Sequence, residues 1–542
     1  MMKIIILQRS LVCKKYRMKY VNLILVGLVS SVWSSSFKQE EEWKVEGRLS
    51  GYLQNVDVEN AESEKEGFTQ SHELDIKYHG PLHKGNAGIE ARIRATNDER
   101  IQKNDTHLLS FKGYYTDKVW THEIGDVAAS MNPYVYGGSV KGLKVEYKSD
   151  KKERKWDYKF ITGVRKAQWR ETYQTVEEEG LDTYLAAFET KYTYERAKEI
   201  TLSLATLKDD LDSGYNSSAV GKKGTTLGIN TKWRFNKYIT LKGRAAISYS
   251  TDDLRGNKKS TTEDAIRLRL LTRPILSSVK SNFMYQRISP DFISAAGSAN
   301  ADNEKFENST SWKINKQLTT KLNLKSSRDN LDGVLGDTQH TYYESLNFLY
   351  KPESIKRANI DFKFTNKDVQ GRGSKTNQYT AGINGNYRTS DGYRYGLGYD
   401  YSNLTDSNNS DSSQTINNIR AIFGYKKKLE DESSYRFTAT VDAQNVSQNG
   451  NNQDKYGLKL DAGYQYNKKL SMDLSYISRN TYRDESNDSV NSTYQFRTTY
   501  RLDDKGKQTI RLLLEKLDYD TENDSDSSYN EHIGKLSYVY NF

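Results

Sequence analysis

From Trp43 to the C-terminus, large apolar and polar residues alternate with a period of two. Leu74, Ile76 and Tyr78 alternate with Glu73, Asp75 and Lys77; Ala87, Ile89, Ala91 and Ile93 with Glu90, Arg92 and Arg94. The second half is cleaner. Tyr393, Tyr395, Leu397, Tyr399 and Tyr401 face Arg394, Gly396, Gly398 and Asp400, and Tyr456, Leu458, Leu460, Ala462, Tyr464 and Tyr466 face Gly457, Lys459, Asp461, Gly463 and Gln465. Such alternation predicts strands with one apolar and one polar face.

Short connections (Asn236-Lys237, Thr389-Ser390-Asp391, Asn467-Lys468) alternate with long polar ones. The long ones run around Asp209–Lys223, Ser289–Asn303, Asn403–Ser413, Asn480–Asp488 and Asp520–Ser527. All five prolines (Pro81, Pro133, Pro274, Pro290, Pro352) are expected in connections, where a missing N–H breaks no ladder. The expected fold is all-β: a single large antiparallel transmembrane β-barrel of about 26 strands, with roughly 22 to 28 allowed by the noisier stretch before Tyr192. An even count puts both termini on one side.

The last strand ends the chain. In His532–Phe542, Leu536, Tyr538, Tyr540 and Phe542 fall on one face, and Lys535, Ser537 and Asn541 on the other, with Val539 the apolar exception. A chain that stops on an aromatic after alternating large apolar residues resembles the closing strand of Gram-negative outer-membrane β-barrels, porin-like proteins among them. The resemblance implies that these four residues are the signal read by the barrel assembly machinery. It also implies outer-membrane lipid as the surrounding phase. With an even strand count, Leu536–Phe542 pairs with the first strand, near Trp43–Gly51.

Composition changes the picture at the N-terminus. A basic start, the apolar run Tyr20–Val29 and the small-residue zone Ser30–Ser36 read as a signal peptide over residues 1–36, with Met18 as an alternative start and the barrel spanning 37–542. The run is too short to cross a membrane as a helix. Residues 1–36 carry Lys3, Arg9, Lys14, Lys15, Arg17 and Lys19 and no acid, so their removal lowers the net charge from +10 to +4 and leaves no case for nucleic-acid binding. The one cysteine, Cys13, lies there too, so no disulfide, thiolate metal site or covalent haem is expected in the barrel. Strands begin soon after Ser36, so no N-terminal plug domain of a TonB-dependent transporter is expected, although internal connections could fold inward.

Among chemical features, a basic ladder stands out. Lys232 and Arg234, Lys242 and Arg244, and Arg267 and Arg269 occupy polar positions on three successive expected strands. Neighbouring strands lie about 4.8 Å apart, so these cations can attract anionic solutes. The ordinary alternative is a solvated wall whose cations are paired across the barrel by Asp400, Asp442, Asp461 and Asp473.

Metal and catalytic sites are not expected. His79 and His83 share a presumed turn without a third ligand, and Asp518, Asp520, Glu522, Asp524 and Asp526 lack the glycine and terminal glutamate of a calcium loop. Gly221–Gly224 lacks phosphate-loop spacing, and no nucleophile elbow occurs. No enzyme activity and no cofactor are expected.

Two segments, Ile124-Gly125-Asp126-Val127 leading to Tyr136–Gly142, and Tyr285–Phe292, are similar to stretches of large bacterial outer-membrane barrels and imply no activity. Gly125 and Gly137-Gly138 suit bends or bulges. The expected function is a polar-lined pore for passive passage of hydrophilic solutes, anionic ones included. The alternative is a scaffold that sheathes a periplasmic or extracellular protein partner, such as an electron-transfer or export complex.

Overall fold

A computed structural model describes residues 43–542 other than 61–65, 99–105, 152–153, 166–180, 196, 212–219, 252, 257–259, 274–277, 295–296, 298, 335, 372, 431, 485–486, 504 and 523–527. The proposed signal peptide, Pro274, Asp524 and Asp526 lie outside the described residues.

Twenty-six strands follow one another in chain order. The first half comprises β1 (Lys44–Glu59), β2 (Gly67–Leu82), β3 (Gly85–Thr96), β4 (Thr106–Thr116), β5 (Trp120–Ser130), β6 (Gly137–Lys148), β7 (Lys155–Arg165), β8 (Asp182–Tyr194), β9 (Lys198–Asp210), β10 (Lys223–Arg234), β11 (Ile239–Thr251), β12 (Thr261–Thr272) and β13 (Val279–Ile288). The second comprises β14 (Asn303–Lys313), β15 (Leu318–Asp329), β16 (His340–Tyr350), β17 (Ala358–Gly371), β18 (Ser374–Arg388), β19 (Tyr393–Asp406), β20 (Gln414–Lys428), β21 (Ser434–Gln448), β22 (Asn451–Tyr466), β23 (Leu470–Arg483), β24 (Ser489–Arg501), β25 (Gln508–Thr521) and β26 (Tyr529–Asn541).

Each strand pairs antiparallel with its successor, and β26 pairs with β1, so the sheet closes without a free edge. The closing register sets Leu536 against Leu53, Tyr538 against Gly51 and Tyr540 against Leu49. Phe542 and Gly47 exchange backbone hydrogen bonds, Gly47 N to Phe542 O at 3.1 Å and Phe542 N to Gly47 O at 3.0 Å. A Cβ on Gly47 would lie 2.2 Å from Phe542 Cζ, so glycine is what lets the terminal ring lie across β1.

The apolar face of every strand points out of the barrel. Leu227 (54% exposed), Ile247 (56%), Leu397 (66%) and Leu474 (57%) are typical of a belt that no water-soluble monomer would present. On the rim of the shorter connections the belt ends in packed rings, with centroids 4.9 Å apart for Trp120 and Tyr147, 4.7 Å for Trp156 and Tyr192 and 4.5 Å for Tyr393 and Tyr425. An apolar band edged by aromatics suits hydrocarbon bounded by headgroups. Inward faces are polar and paired across strands, as in Arg94–Glu73 (2.5 Å), Lys112–Glu90 (2.9 Å) and Lys144–Glu123 (3.0 Å).

Two expectations about connections need correction. Pro81 is inside β2, at its end, opposite Asn86, and His79 likewise belongs to β2, 3.5 Å from Glu46. Several long polar excursions are shorter than expected: β19 continues to Asp406, β23 to Arg483 and β25 to Thr521. Strands β17 to β26 run 13–16 residues. About 9–11 suffice to cross a bilayer, so these strands stay paired beyond the membrane, where polar side chains cost nothing on either face.

Candidate functional site in the lumen

The wall is interrupted where β5 should pair fully with β4. Their pairing ends at Lys112 opposite Gly125, while β5 and β6 stay paired to Ser130 and Gly137. Gly125 has φ +104°, a left-handed conformation that favours glycine, and a Cβ there would lie 2.3 Å from Phe111 O. Beyond it the Asp126 carboxylate replaces the missing ladder: it accepts from Phe111 N at 2.6 Å and from Lys141 Nζ at 2.9 Å. The end of the β5–β6 hairpin therefore leaves the wall and enters the lumen.

The connection 131–136 is folded on itself by Asn132. Its carbonyl accepts from Val135 N (2.8 Å) and Tyr136 N (3.0 Å), and its Oδ1 accepts from Tyr134 N (3.0 Å). Its Nδ2 reaches β10 and β11 and donates to Ala245 O (3.2 Å) and Ile229 O (3.4 Å). Val127, Met131, Tyr134, Val135, Tyr136 and Val140 are all buried. They pack on Ile161 of β7, Leu185 and Ala187 of β8, Ala205 and Leu207 of β9, Ala246 of β11, Ala265 of β12 and Ile288 of β13. Gly228 of β10 completes the seat, since a Cβ there would lie 2.5 Å from Val135 Cγ2.

The connection after β13 folds in from the same rim. Ser289 Oγ donates to Asp264 Oδ1 at 2.8 Å, Ser248 Oγ bonds the Ile293 carbonyl, and Phe292 meets Tyr134 edge-on with centroids 6.2 Å apart. The two segments that resembled other large barrels thus build one lumenal cluster. Burial of each large apolar side chain in it is worth about 1.5–3 kcal/mol. The sequence signal was the loss of alternation on this wall: in Leu202-Ser203-Leu204-Ala205-Thr206-Leu207 both faces are apolar or small, because both are covered.

The basic ladder lies next to this cluster, one step further along the strands. Register sets Lys232 against Lys242 and Lys242 against Arg269, and sets Arg244 against Arg267. Four of the six, Lys242, Arg244, Arg267 and Arg269, line a cavity of about 60 Å³, room for about two waters. Lys232 is held instead by Glu199 of β9 at 2.7 Å, and Arg234 closes β10 outside the cavity. Among the described residues the four aspartates do not pair with the ladder across the barrel. Asp473 bonds Arg436 at 2.6 Å, Asp461 lies 3.3 Å from Lys459, and Asp400 and Asp442 sit against Gly382 and Gly457.

Among the described residues no carboxylate lies in ion-pair range of the four cavity cations. Arg269 Nε donates to Asn282 Oδ1 at 2.6 Å. Adjacent like charges about 4 Å apart repel by about 1 kcal/mol in water and about 4 kcal/mol in a half-buried setting. Beside them the Tyr134 hydroxyl and Asn230 Oδ1 are buried without a hydrogen-bond partner. Burial pushes the Tyr134 phenol above its ordinary range, while Arg267 and Arg244 pull it back. Sequence reasoning found the cations but not Tyr134, which lies far from them in the chain.

His79 and His83, and the described part of the acidic run near Asp518, gather no further ligands among the described residues. Among the described residues no group of three His, Cys, Asp or Glu is placed to hold a metal. Asp518 and Asp520 belong to β25, where Asp518 pairs with Lys516 at 2.8 Å.

No protein-family model and no curated protein matches the chain. Among solved structures it is similar to the siderophore receptor PirA from Pseudomonas aeruginosa, at 10% identity over 92% of this chain and 80% of that one, with a TM-score of 0.41. It is similar also to the translocation pore of the P pilus usher PapC (12% identity, 92% and 99% coverage, TM-score 0.36). A third is Pseudomonas aeruginosa OpdQ, at 8% identity, 92% and 98% coverage and a TM-score of 0.27. The class of the chain rests on its own architecture, a closed antiparallel barrel with an apolar, aromatic-edged exterior and a polar interior. The chain is a closed, 26-stranded antiparallel β-barrel with the apolar exterior of a membrane-spanning one.

Proposed function

We propose that the protein is an outer-membrane channel for hydrophilic solutes with a preference for anions, exported through its N-terminal leader. Lumen width grows with strand number, and barrels of about 16–18 strands already hold an aqueous channel. A 26-strand barrel needs narrowing more than it needs opening. The inward-folded connections narrow it from one wall, β7 to β13, and bring the passage close to the cation group. The observation that carries the reading is that group: four half-buried cations with no carboxylate in ion-pair range among the described residues, on the lumenal face beside the constriction. Fixed charge at a narrow point raises the local concentration of counter-ions and selects among them.

Planar-bilayer recording of the refolded, full-length barrel tests the reading. Discrete conductance steps with anion-selective reversal potentials are expected. A correctly folded barrel that does not conduct refutes it, and co-purification of a protein from detergent extracts that fills the lumen favours the scaffold alternative instead.

A further inference from the structure

We propose that Lys242, Arg244, Arg267 and Arg269, capped by the Tyr134 hydroxyl, form a discrete binding site for one phosphate group, whose occupancy holds the connection 131–136 against the wall. The inference rests on the channel reading and deepens it from a diffuse preference to a defined site.

The geometry is that of a pocket rather than a charged surface. Lys242 and Arg244 follow one another on the inner face of β11, and Arg269 and Arg267 stand opposite them on β12. The four Cα atoms mark a rectangle of about 5 by 7 Å, set by strand spacing and by the two-residue rise. Three guanidinium groups present planar forks that match a tetrahedral oxyanion in pairs, which chloride cannot use. Arg269 already spends Nε on Asn282, which fixes the plane of its guanidinium and leaves its terminal nitrogens to the cavity.

A second, independent observation comes from the connection itself. Tyr134 is 5% exposed, and its hydroxyl is buried with no partner among the described residues. A buried donor without an acceptor is costly, and a phosphate oxygen in the neighbouring cavity supplies one. The residue is fixed from both sides, by the bond from its own N–H to Asn132 Oδ1 at 3.0 Å and by the edge contact with Phe292. The anion would therefore bridge the wall and the tip of the inward-folded segment. A cavity of about 60 Å³ admits the phosphate group and leaves the remainder of a phosphorylated solute in the lumen.

Occupancy and gating are linked by reciprocity. An anion that binds only when Tyr134 is docked must stabilise the docked state by the same factor.

The test uses the full-length barrel in planar bilayers bathed in KCl, with inorganic phosphate or glucose 6-phosphate added, and isothermal titration of the same two ligands into the detergent-solubilised protein. Saturable block of the chloride current is expected, with fewer openings to higher conductance as phosphate rises. Block by both ligands identifies the phosphate group as the recognised chemistry, and block by inorganic phosphate alone assigns a free-ion site. Arg244→Gln with Arg267→Gln should raise the half-blocking concentration at least tenfold, and Tyr134→Phe about ten- to 150-fold, in keeping with one hydrogen bond to a charged group. Arg394→Gln, a lumenal change on β19, seven strands from β12, should leave block unaltered. Tyr134→Phe serves alone where the double variant does not fold. Equal block in wild type, Tyr134→Phe and Arg394→Gln, or no phosphate binding to a pore that remains anion-selective, overturns the site and leaves the channel reading standing. Loss of anion selectivity in the wild type overturns the channel reading itself.

Discussion

Replacing Gly228 with valine is a direct way to dislodge the lumenal segment without touching its own sequence. A Cβ at this position would lie 2.5 Å from Val135 Cγ2 and 2.6 Å from Asn132 Nδ2. Neither neighbour can give way easily, because Val135 and Asn132 are both 0% exposed and Asn132 is tied to Ile229 O and Ala245 O. Overpacking of this kind costs about 1–3 kcal/mol. Loss of either Asn132 bond adds about 0.5–1.5 kcal/mol. The outward face of β10 is untouched, so the cost falls on docking of the segment rather than on the barrel. A penalty of 1–3 kcal/mol shifts the ratio of undocked to docked states by roughly 5- to 150-fold. Single-channel recording reads that ratio as time spent in a higher-conductance level. Gly385→Val on β18 is the control, since the nearest atom to a Cβ there is 3.8 Å away. Wild-type conductance and dwell times in a folded Gly228→Val barrel would show that the segment does not limit the passage.

Phe542→Asp should lower the yield of folded barrel far more than the conductance of those barrels that form, because the ring covers Gly47 at the seam and contributes nothing to the lumen. Heat-modifiable migration in cells measures the yield, and a normal folded fraction would remove the proposed role of Leu536, Tyr538, Tyr540 and Phe542 in recognition by the assembly machinery. Tyr538→Phe removes the bond between the hydroxyl and His72 Nδ1, 2.9 Å long and spanning the seam from β26 to β2 on the lipid side of Gly51. A loss of about 1 kcal/mol in urea-induced unfolding is expected, and an unchanged midpoint would mean that the bond is not made in the bilayer. Asp126→Ala removes the carboxylate that accepts from Phe111 N and Lys141 Nζ at the point where the hairpin departs. It should destabilise that departure by about 1–3 kcal/mol and so raise hydrogen exchange in β4 and β5 before any other strand, whereas uniform protection would argue against a local role.

The barrel was legible because each strand solves the same local problem. Hydrocarbon outside and water inside force a period of two, and the closing strand Leu536–Phe542 obeys the rule like the rest. Strand ends were less legible: Asn403–Asp406 and Asn480–Arg483 look like loop sequence because a strand paired beyond the membrane is polar on both faces. The basic ladder could be read from its spacing, since successive strands place Lys242 and Arg269 side by side. What brings Tyr134 to Arg244 and Arg267 could not. That placement depends on a hairpin leaving the wall at Gly125 and folding onto Gly228, and no local period encodes a long-range docking. The trace it leaves is indirect, in the doubly apolar strands Leu185–Ala187 and Leu202–Leu207 and in glycine at positions where the neighbour is too close for a side chain.

An anion channel of the proposed kind requires that the cation group beside the constriction choose the ions that pass. The most direct measurement is the zero-current potential of the full-length barrel in a planar bilayer across a KCl gradient, for wild type and for Arg244→Gln with Arg267→Gln. The account predicts a potential of the sign given by chloride in the wild type, moving toward zero in the double variant. A cation-selective wild type, or a potential that does not respond to the two substitutions, contradicts it.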